Sequence, residues 1–174
     1  MEVRVMNVCI SELIKTTKKI EERIDQLKRL RNECVTYSYL KDEKPIIPET
    51  NLLDITKQIH ELQDKVIYLR NKIAYLNATI QVPEFGISLG GCIIKLGQLK
   101  AEAEIFKGFS ERQSITRQTI GFKGEVEYTQ INYNIEEAKA IYKEMNDTIS
   151  KLQMAIDRCN LNTMVDIPDR YLIY

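Results

Sequence analysis

Apolar residues recur at alternating spacings of three and four along much of the chain, and the longest such run lies in its second quarter. This spacing places the residues on one side of an α-helix, at the a and d positions of a coiled coil. The run has nine positions, Leu52, Ile55, Ile59, Leu62, Val66, Leu69, Ile73, Leu76 and Ile80. It predicts a long helix that packs against another helix.

The same periodicity predicts four long helices, at about residues 7–34, 51–80, 88–112 and 134–160. Side chains that accept hydrogen bonds from free backbone N–H groups stand at three of the predicted helix starts. They are Thr50 or Asn51 for the second helix, Ser88 for the third and Asn134 for the fourth. Helices of this length are typical of bundles and coiled coils.

The connection between the first two predicted helices, residues 35–50, contains two prolines and no apolar periodicity. It is long for a loop in a compact domain, and proline cannot continue a helix. We expect it to form a strap that covers one end of a bundle or reaches a neighbouring molecule.

Between the third and fourth predicted helices the period changes. The segments SITRQTIGF and EVEYTQINY flank Lys123 and Gly124 and are rich in β-branched and aromatic residues. This composition around a glycine turn predicts a β-hairpin at about residues 114–133, the only non-helical element predicted before the tail. An isolated two-stranded hairpin is marginally stable, so it is expected to pack on the bundle or to pair with another subunit. Both options stay open from the sequence.

The predicted fold is therefore mainly α, a single domain over residues 1–174. It is a long-helix antiparallel bundle, or a set of coiled-coil hairpins, with one β-hairpin inserted between helices 3 and 4. Gly90 and Gly97 are one heptad apart in the third helix. Because glycine destabilises a helix interior, this pair predicts the close approach of another backbone on that face. The tail after the fourth helix is expected to pack back as an extended segment.

The charge balance excludes some function classes. Twenty-five basic and 25 acidic residues give no net charge, which disfavours a general nucleic-acid binder. No stretch approaches the roughly 20 apolar residues of a membrane span, and no signal peptide is visible. The four cysteines lack metal-ligand spacing and are expected to be reduced. The sequence thus predicts a cytoplasmic protein without membrane or nucleic-acid partners.

Catalytic, metal and cofactor motifs are not found. His60 is the only histidine, and a general base or a zinc site needs partners that the sequence does not supply. The paired glutamates lack the Glu-x-x-His motifs of di-iron bundles, and the glycines near residue 90 match no phosphate-binding fingerprint. We therefore expect no catalytic residue, no metal and no cofactor.

Cations and aromatic residues are concentrated on or beside the predicted hairpin. Such a mixture is found in protein interfaces and in sites that hold a nucleotide. The candidates for an interface or a ligand site are Arg112, Arg117, Lys123, Val126, Tyr128 and Tyr133.

Several local segments resemble a family of small bacterial proteins labelled septicolysin-like. They are LIKTTKKIEERIDQLKRLRNE followed by DEKP, KIAYLNAT, EVEY leading into NIEEA, and AIDRCNLNT. The chain departs from that pattern at Leu161, where the family tends to carry tryptophan, and in its longer ends. The resemblance implies a helical fold and self-association. It implies no established activity or catalytic residue.

Two functions follow as expectations. The first is a non-enzymatic cytosolic helical protein that forms a homo-oligomer and acts through protein–protein contacts. The alternative is an oligomeric binding protein that captures a small anionic or nucleotide ligand between subunits near the hairpin.

Overall fold

The computed structural model describes residues 4–44, 46, 51–122 and 124–172. The protein is mainly helical, as the periodicity predicts. In chain order its elements are β1 (Val5–Cys9), α1 (Ile10–Glu33), α2 (Leu52–Thr79), β2 (Gln81–Val82), β3 (Ile87–Ser88), α3 (Leu89–Ser110), β4 (Ile115–Ile120), β5 (Glu125–Gln130), α4 (Ile135–Asn162), β6 (Met164–Pro168) and a short 3₁₀ helix (Asp169–Tyr171).

The chain folds into two compact units. The first contains the described residues of 1–80 and 158–174, and the second contains those of 81–157. Most of α4 thus belongs to the second unit and its last turn to the first. The single domain expected over residues 1–174 stays a prediction.

In the first unit, α1 buries one stripe of side chains and exposes the rest. The buried residues follow the alternating spacings of three and four and are Ile10, Leu13, Thr17, Ile20, Ile24 and Leu27. The hydroxyl of Thr17 donates to the carbonyl oxygen of Leu13 at 2.8 Å, so the one polar member of the stripe is satisfied inside the helix. The other faces of α1 carry lysine, arginine and glutamate.

The helix α2 runs antiparallel to α1 and packs against its buried stripe. Ile55, Ile59, Leu69 and Leu76 are buried, whereas Leu52 at the helix start is exposed. Across the two helices, the Arg70 Nε atom donates to the Glu21 carboxylate at 2.7 Å. This exposed ion pair links the two helices and contributes at most about 1 kcal/mol, so their packing rests on the buried residues.

The ends of the first unit are joined by a two-stranded antiparallel sheet, β1 with β6. Asn7 pairs with Asp166, and its Nδ2 atom donates to the Asp166 carboxylate at 2.7 Å. Below the strands, Tyr171 stacks on Tyr68 of α2 with ring centroids 3.7 Å apart. The start predicted for the first helix near Asn7 is therefore wrong, because residues 5–9 are held extended by β6. The extended tail is confirmed.

The predicted caps are in place. Asn51 accepts a hydrogen bond from the Leu53 N–H at 2.8 Å, and Ser88 accepts one from the Gly91 N–H at 3.1 Å. Asn134 accepts from the Glu136 N–H at 2.9 Å. Thr50, the other candidate for α2, lies outside the described residues, as do Pro45 and residues 47–49 of the strap.

In the second unit, a short turn joins β2 to β3 and leads directly into α3. Gly86 has a φ of +63°, a backbone conformation that residues with a Cβ rarely adopt, and its N–H donates to the Val82 carbonyl oxygen. Together with β1 and β6, this pair shows that the β-hairpin between α3 and α4 is not the only non-helical element. Two-residue strands are too short for their alternation to be visible in the sequence.

The close approach predicted at Gly97 is not present. A Cβ built on Gly97 meets no atom within 4 Å, so this side of α3 faces open space within the described chain. The buried residues of α3 are Leu89, Cys92, Leu96 and Ala103, on the other side of the helix. The glycine therefore costs helix stability without a packing gain inside the monomer.

Candidate protein contact surface

The hairpin formed by β4 and β5 is the part of the second unit with the clearest surface chemistry. Its strands pair in antiparallel register from Ile115 opposite Gln130 to Ile120 opposite Glu125. Gly121 and Gly124 have φ values of +67° and +68°, and the Gly124 N–H donates to the Gly121 carbonyl oxygen. Both positions need glycine, because a Cβ disfavours positive φ. The turn therefore fixes the register and the side chains that share a face.

One face of the hairpin carries three of the four apolar residues of its strands, and we call it the apolar face. Alternate residues of a strand point to the same side of a sheet, so the register assigns each side chain to a face. The apolar face contains Ile115, Arg117, Thr119, Val126, Tyr128 and Gln130. The opposite face, the polar face, contains Thr116, Gln118, Ile120, Glu125, Glu127 and Thr129. Both glutamates thus lie on the face opposite Ile115, Val126 and Tyr128.

All twelve strand residues of the hairpin are exposed. Val126 keeps 42% of its surface accessible and Tyr128 65%. On the same face Arg117 stands directly opposite Tyr128, so a cation lies beside an aromatic ring. Nothing else in the described chain covers these side chains. They are accessible to another molecule.

Two of the six predicted site residues lie at the base of the hairpin instead. The Tyr133 hydroxyl donates to the Phe109 carbonyl oxygen at 2.8 Å, and the Arg112 guanidinium lies 5.6 Å from the centre of the Phe109 ring. Phe106 and Tyr133 both contact the Phe109 ring. Arg112 and Tyr133 therefore hold the end of α3 to the start of α4. Lys123 lies outside the described residues.

A small cavity of about 220 Å³ lies in this aromatic cluster. It is lined by Phe106, Phe109, Tyr133, Asn134, Glu137, Ala138 and Ile141. Its charged residue is Glu137, an acid, and Arg112 is held over Phe109. An anionic ligand would meet a carboxylate here, so this cavity does not favour the anion site that the sequence left open.

A second concave region, an open groove of about 790 Å³, runs between α1 and α2 in the first unit. It is lined by Glu21, Ile24, Asp25, Lys28, His60, Gln63, Asp64, Val66, Ile67 and Arg70. Glu21 pairs with Arg70, and Asp25 pairs with Lys28 at 3.3 Å. His60 is exposed at the rim of this groove. Sequence analysis missed this groove because its residues flank the buried stripes and follow no motif.

Within residues 4–44, 46, 51–122 and 124–172, no three His, Cys, Asp or Glu side chains are grouped so that they could hold a metal ion. None of the helices that the structure describes is both long and apolar enough to cross a bilayer.

Comparison with known proteins gives a fold and no function. No protein-family model matches the chain, and no curated protein matches it. A crystal structure of a functionally unknown conserved protein from Corynebacterium diphtheriae is similar, with a TM-score of 0.70 and 14% sequence identity. The match covers 92% of this chain and 99% of that one. At this identity the similarity establishes a shared fold alone.

Proposed function

We propose that this is a non-enzymatic cytoplasmic protein that self-associates and acts through protein–protein contacts, with the apolar face of the hairpin as a contact surface. The observation that carries the proposal is the exposure of every strand residue of the hairpin, with Ile115, Val126 and Tyr128 together on one face. We further propose that the chain is septicolysin-like and that its helices assemble as coiled coils.

The energetics of the hairpin favour a partner. An isolated two-stranded hairpin is at best marginally stable in water, and its outer edges present unpaired backbone groups. Packing Val126 and Tyr128 against another surface would remove their apolar area from water, at about 25 cal/mol per Å². The interaction would stabilise the hairpin and the complex together.

A second copy of the chain is the partner that the charges support. The chain has no net charge, so two copies do not repel each other over long distances. Glu125 and Glu127 lie on the polar face, so two apolar faces can meet without burying a carboxylate. Arg117 of each copy could then lie on a Tyr128 ring of the other, an arrangement that cation–π attraction favours.

Paired lysine substitutions on the two faces test this proposal. Val126→Lys with Tyr128→Lys places two charges on the apolar face, whereas Thr116→Lys with Gln118→Lys places two on the polar face. Both doubles add the same charge to one strand at alternate positions. We expect light scattering to show a lower mass for the first double and an unchanged mass for the second, with the helical circular dichroism of both retained.

Equal masses for the two double variants and the native chain would contradict the proposal that the apolar face is a contact surface. The alternative function makes a different prediction, since a bound ligand raises the melting temperature. A nucleotide that stabilises the native chain but not an Arg117→Ala variant would favour ligand capture near the hairpin.

A further inference from the structure

The helix α3 carries two apolar stripes on opposite sides. One is the buried stripe described above. The other, which we call the outer stripe, contains Gly90, Ile94, Gly97, Ala101, Ile105 and Gly108. Their spacings of four and three place them along one side of the helix, about 150° from the buried stripe at 100° per residue. No charged residue lies in the outer stripe.

The outer stripe is open in the monomer. Ile94 is 66% exposed and Ile105 50% exposed. A Cβ built on Gly97 or Gly108 meets no atom within 4 Å. A helix that is apolar on two opposite sides is typically buried on both of them. Within the described chain, α3 is buried on one side only.

The order of large and small residues along the outer stripe is self-complementary. If a second copy of α3 lies antiparallel across it with Ala101 on the two-fold axis, Ile94 faces Gly108 of the second copy. By the same geometry Gly97 faces Ile105 of the second copy. Each isoleucine thus meets the space left by a glycine, which is how facing side chains interdigitate in a packed contact. A two-fold interface requires this kind of self-matching, because the same surface is used twice.

The matching of isoleucine with glycine favours the antiparallel arrangement. A parallel arrangement would instead place Ile94 against Ile94 and leave the glycines facing each other.

We infer that the outer stripe of α3 is a two-fold interface in which α3 packs antiparallel on α3 of a second copy. The inference rests on the proposed self-association, but not on the hairpin. It also accounts for Gly97 and Gly108, which destabilise α3 in the monomer and permit close approach of two helices in the dimer.

Cysteine cross-linking tests the register. In a background with Cys34→Ser and Cys159→Ser, Ala101→Cys places a thiol on the proposed axis, and Glu102→Cys places one at the next residue as a matched control. A disulfide needs Cα atoms about 4.4–6.8 Å apart, so only the residue on the axis should form it readily. We expect copper–phenanthroline oxidation to give a covalent dimer at least about tenfold faster with Ala101→Cys. Equal rates for the two variants would overturn the inference.

A charge substitution tests the interface without oxidation. In the proposed dimer, Ala101→Lys places the lysines of the two copies next to each other on the two-fold axis. Ala140→Lys makes the same change at an exposed position of α4. Sedimentation should show a dimer dissociation constant at least about tenfold higher for Ala101→Lys, a change of about 1.4 kcal/mol in binding free energy. Ala140→Lys should leave the dissociation constant unchanged. A native chain that sediments as a monomer throughout, as it would if a different protein covers the stripe, also overturns the inference.

The two proposals fail separately. If Ala101→Cys does not cross-link and the lysine double on the apolar face still lowers the mass, the α3 interface is wrong and hairpin association stands. If cross-linking succeeds and both lysine doubles keep the native mass, self-association proceeds through α3 alone.

Discussion

The helices α1 and α3 show two ways in which a long helix can use its surface. In α1 a single apolar stripe is buried, and the remaining faces carry charges. In α3 the buried stripe is accompanied by a second apolar stripe that water reaches. Within the monomer, each helix packs through one face only. The comparison indicates that a buried stripe marks the side packed inside the chain, whereas an exposed uncharged stripe on the opposite side marks a surface for another molecule.

The largest effect is expected when an isoleucine of α1 is truncated to alanine and compared with the same truncation in α3. Ile20 of α1 is fully buried, and Ile94 of α3 is largely exposed. We expect Ile20→Ala to lower the free energy of unfolding by about 2–5 kcal/mol, because truncation leaves a cavity in the core. Ile94→Ala should change the same quantity by less than about 0.5 kcal/mol in the monomer. Urea denaturation at low protein concentration measures both, and similar losses would show that α3 has an internal partner on its outer side.

A smaller effect is expected at the start of α3. The Ser88 hydroxyl oxygen accepts from the Gly91 N–H, whereas at the start of α1 the Glu12 carboxylate accepts from the Cys9 N–H. Ser88→Ala should therefore destabilise the protein by about 1 kcal/mol, while Ser88→Asp should retain the cap and most of the stability. Thermal denaturation of the three proteins provides the comparison. An alanine variant as stable as the native chain would mean that water or the neighbouring turn replaces the cap.

The smallest effect has the opposite sign. Gly97→Ala should stabilise the monomer by about 0.5–1 kcal/mol, because alanine is the better helix former and the site is open. Gly121→Ala serves as a contrast, since its φ of +67° should make the same change destabilising. Chemical denaturation of both variants at low protein concentration measures the difference. A destabilising Gly97→Ala would indicate that a neighbouring group crowds the outer stripe even in the monomer.

Much of the helical framework could be predicted because its determinants are local. The buried positions of α1 and the caps at Asn51, Ser88 and Asn134 follow from spacing and side-chain type alone. The strand β1 could not be predicted in the same way. Its valines are followed at once by the periodic residues of α1, and its partner β6 lies at the far end of the sequence.

The sequence predicted which candidate residues lie on the hairpin, but not which of them share a face. Sequence placed Arg117, Val126 and Tyr128 on a hairpin, and the structure puts them on one exposed face. Which residues share that face depends on the number of residues in the turn, which alternation alone does not define. Arg112 and Tyr133 were grouped with them by proximity, but their contacts are with Phe109. The outer stripe of α3 needs the observed burial, because sequence does not tell which of two apolar sides is covered.

The pairing of β1 with β6 has a consequence for the order of folding. The hydrogen bond between Asn7 and Asp166 joins residues 159 positions apart, whereas the contact of Glu21 with Arg70 spans 49. Closing the longer loop from an unfolded chain costs about 1 kcal/mol more in entropy, by the logarithmic dependence on loop length. The antiparallel helices α1 and α2 can therefore pack first, which shortens the loop that β1 and β6 must close. These terminal strands then pair late, as the last step of folding.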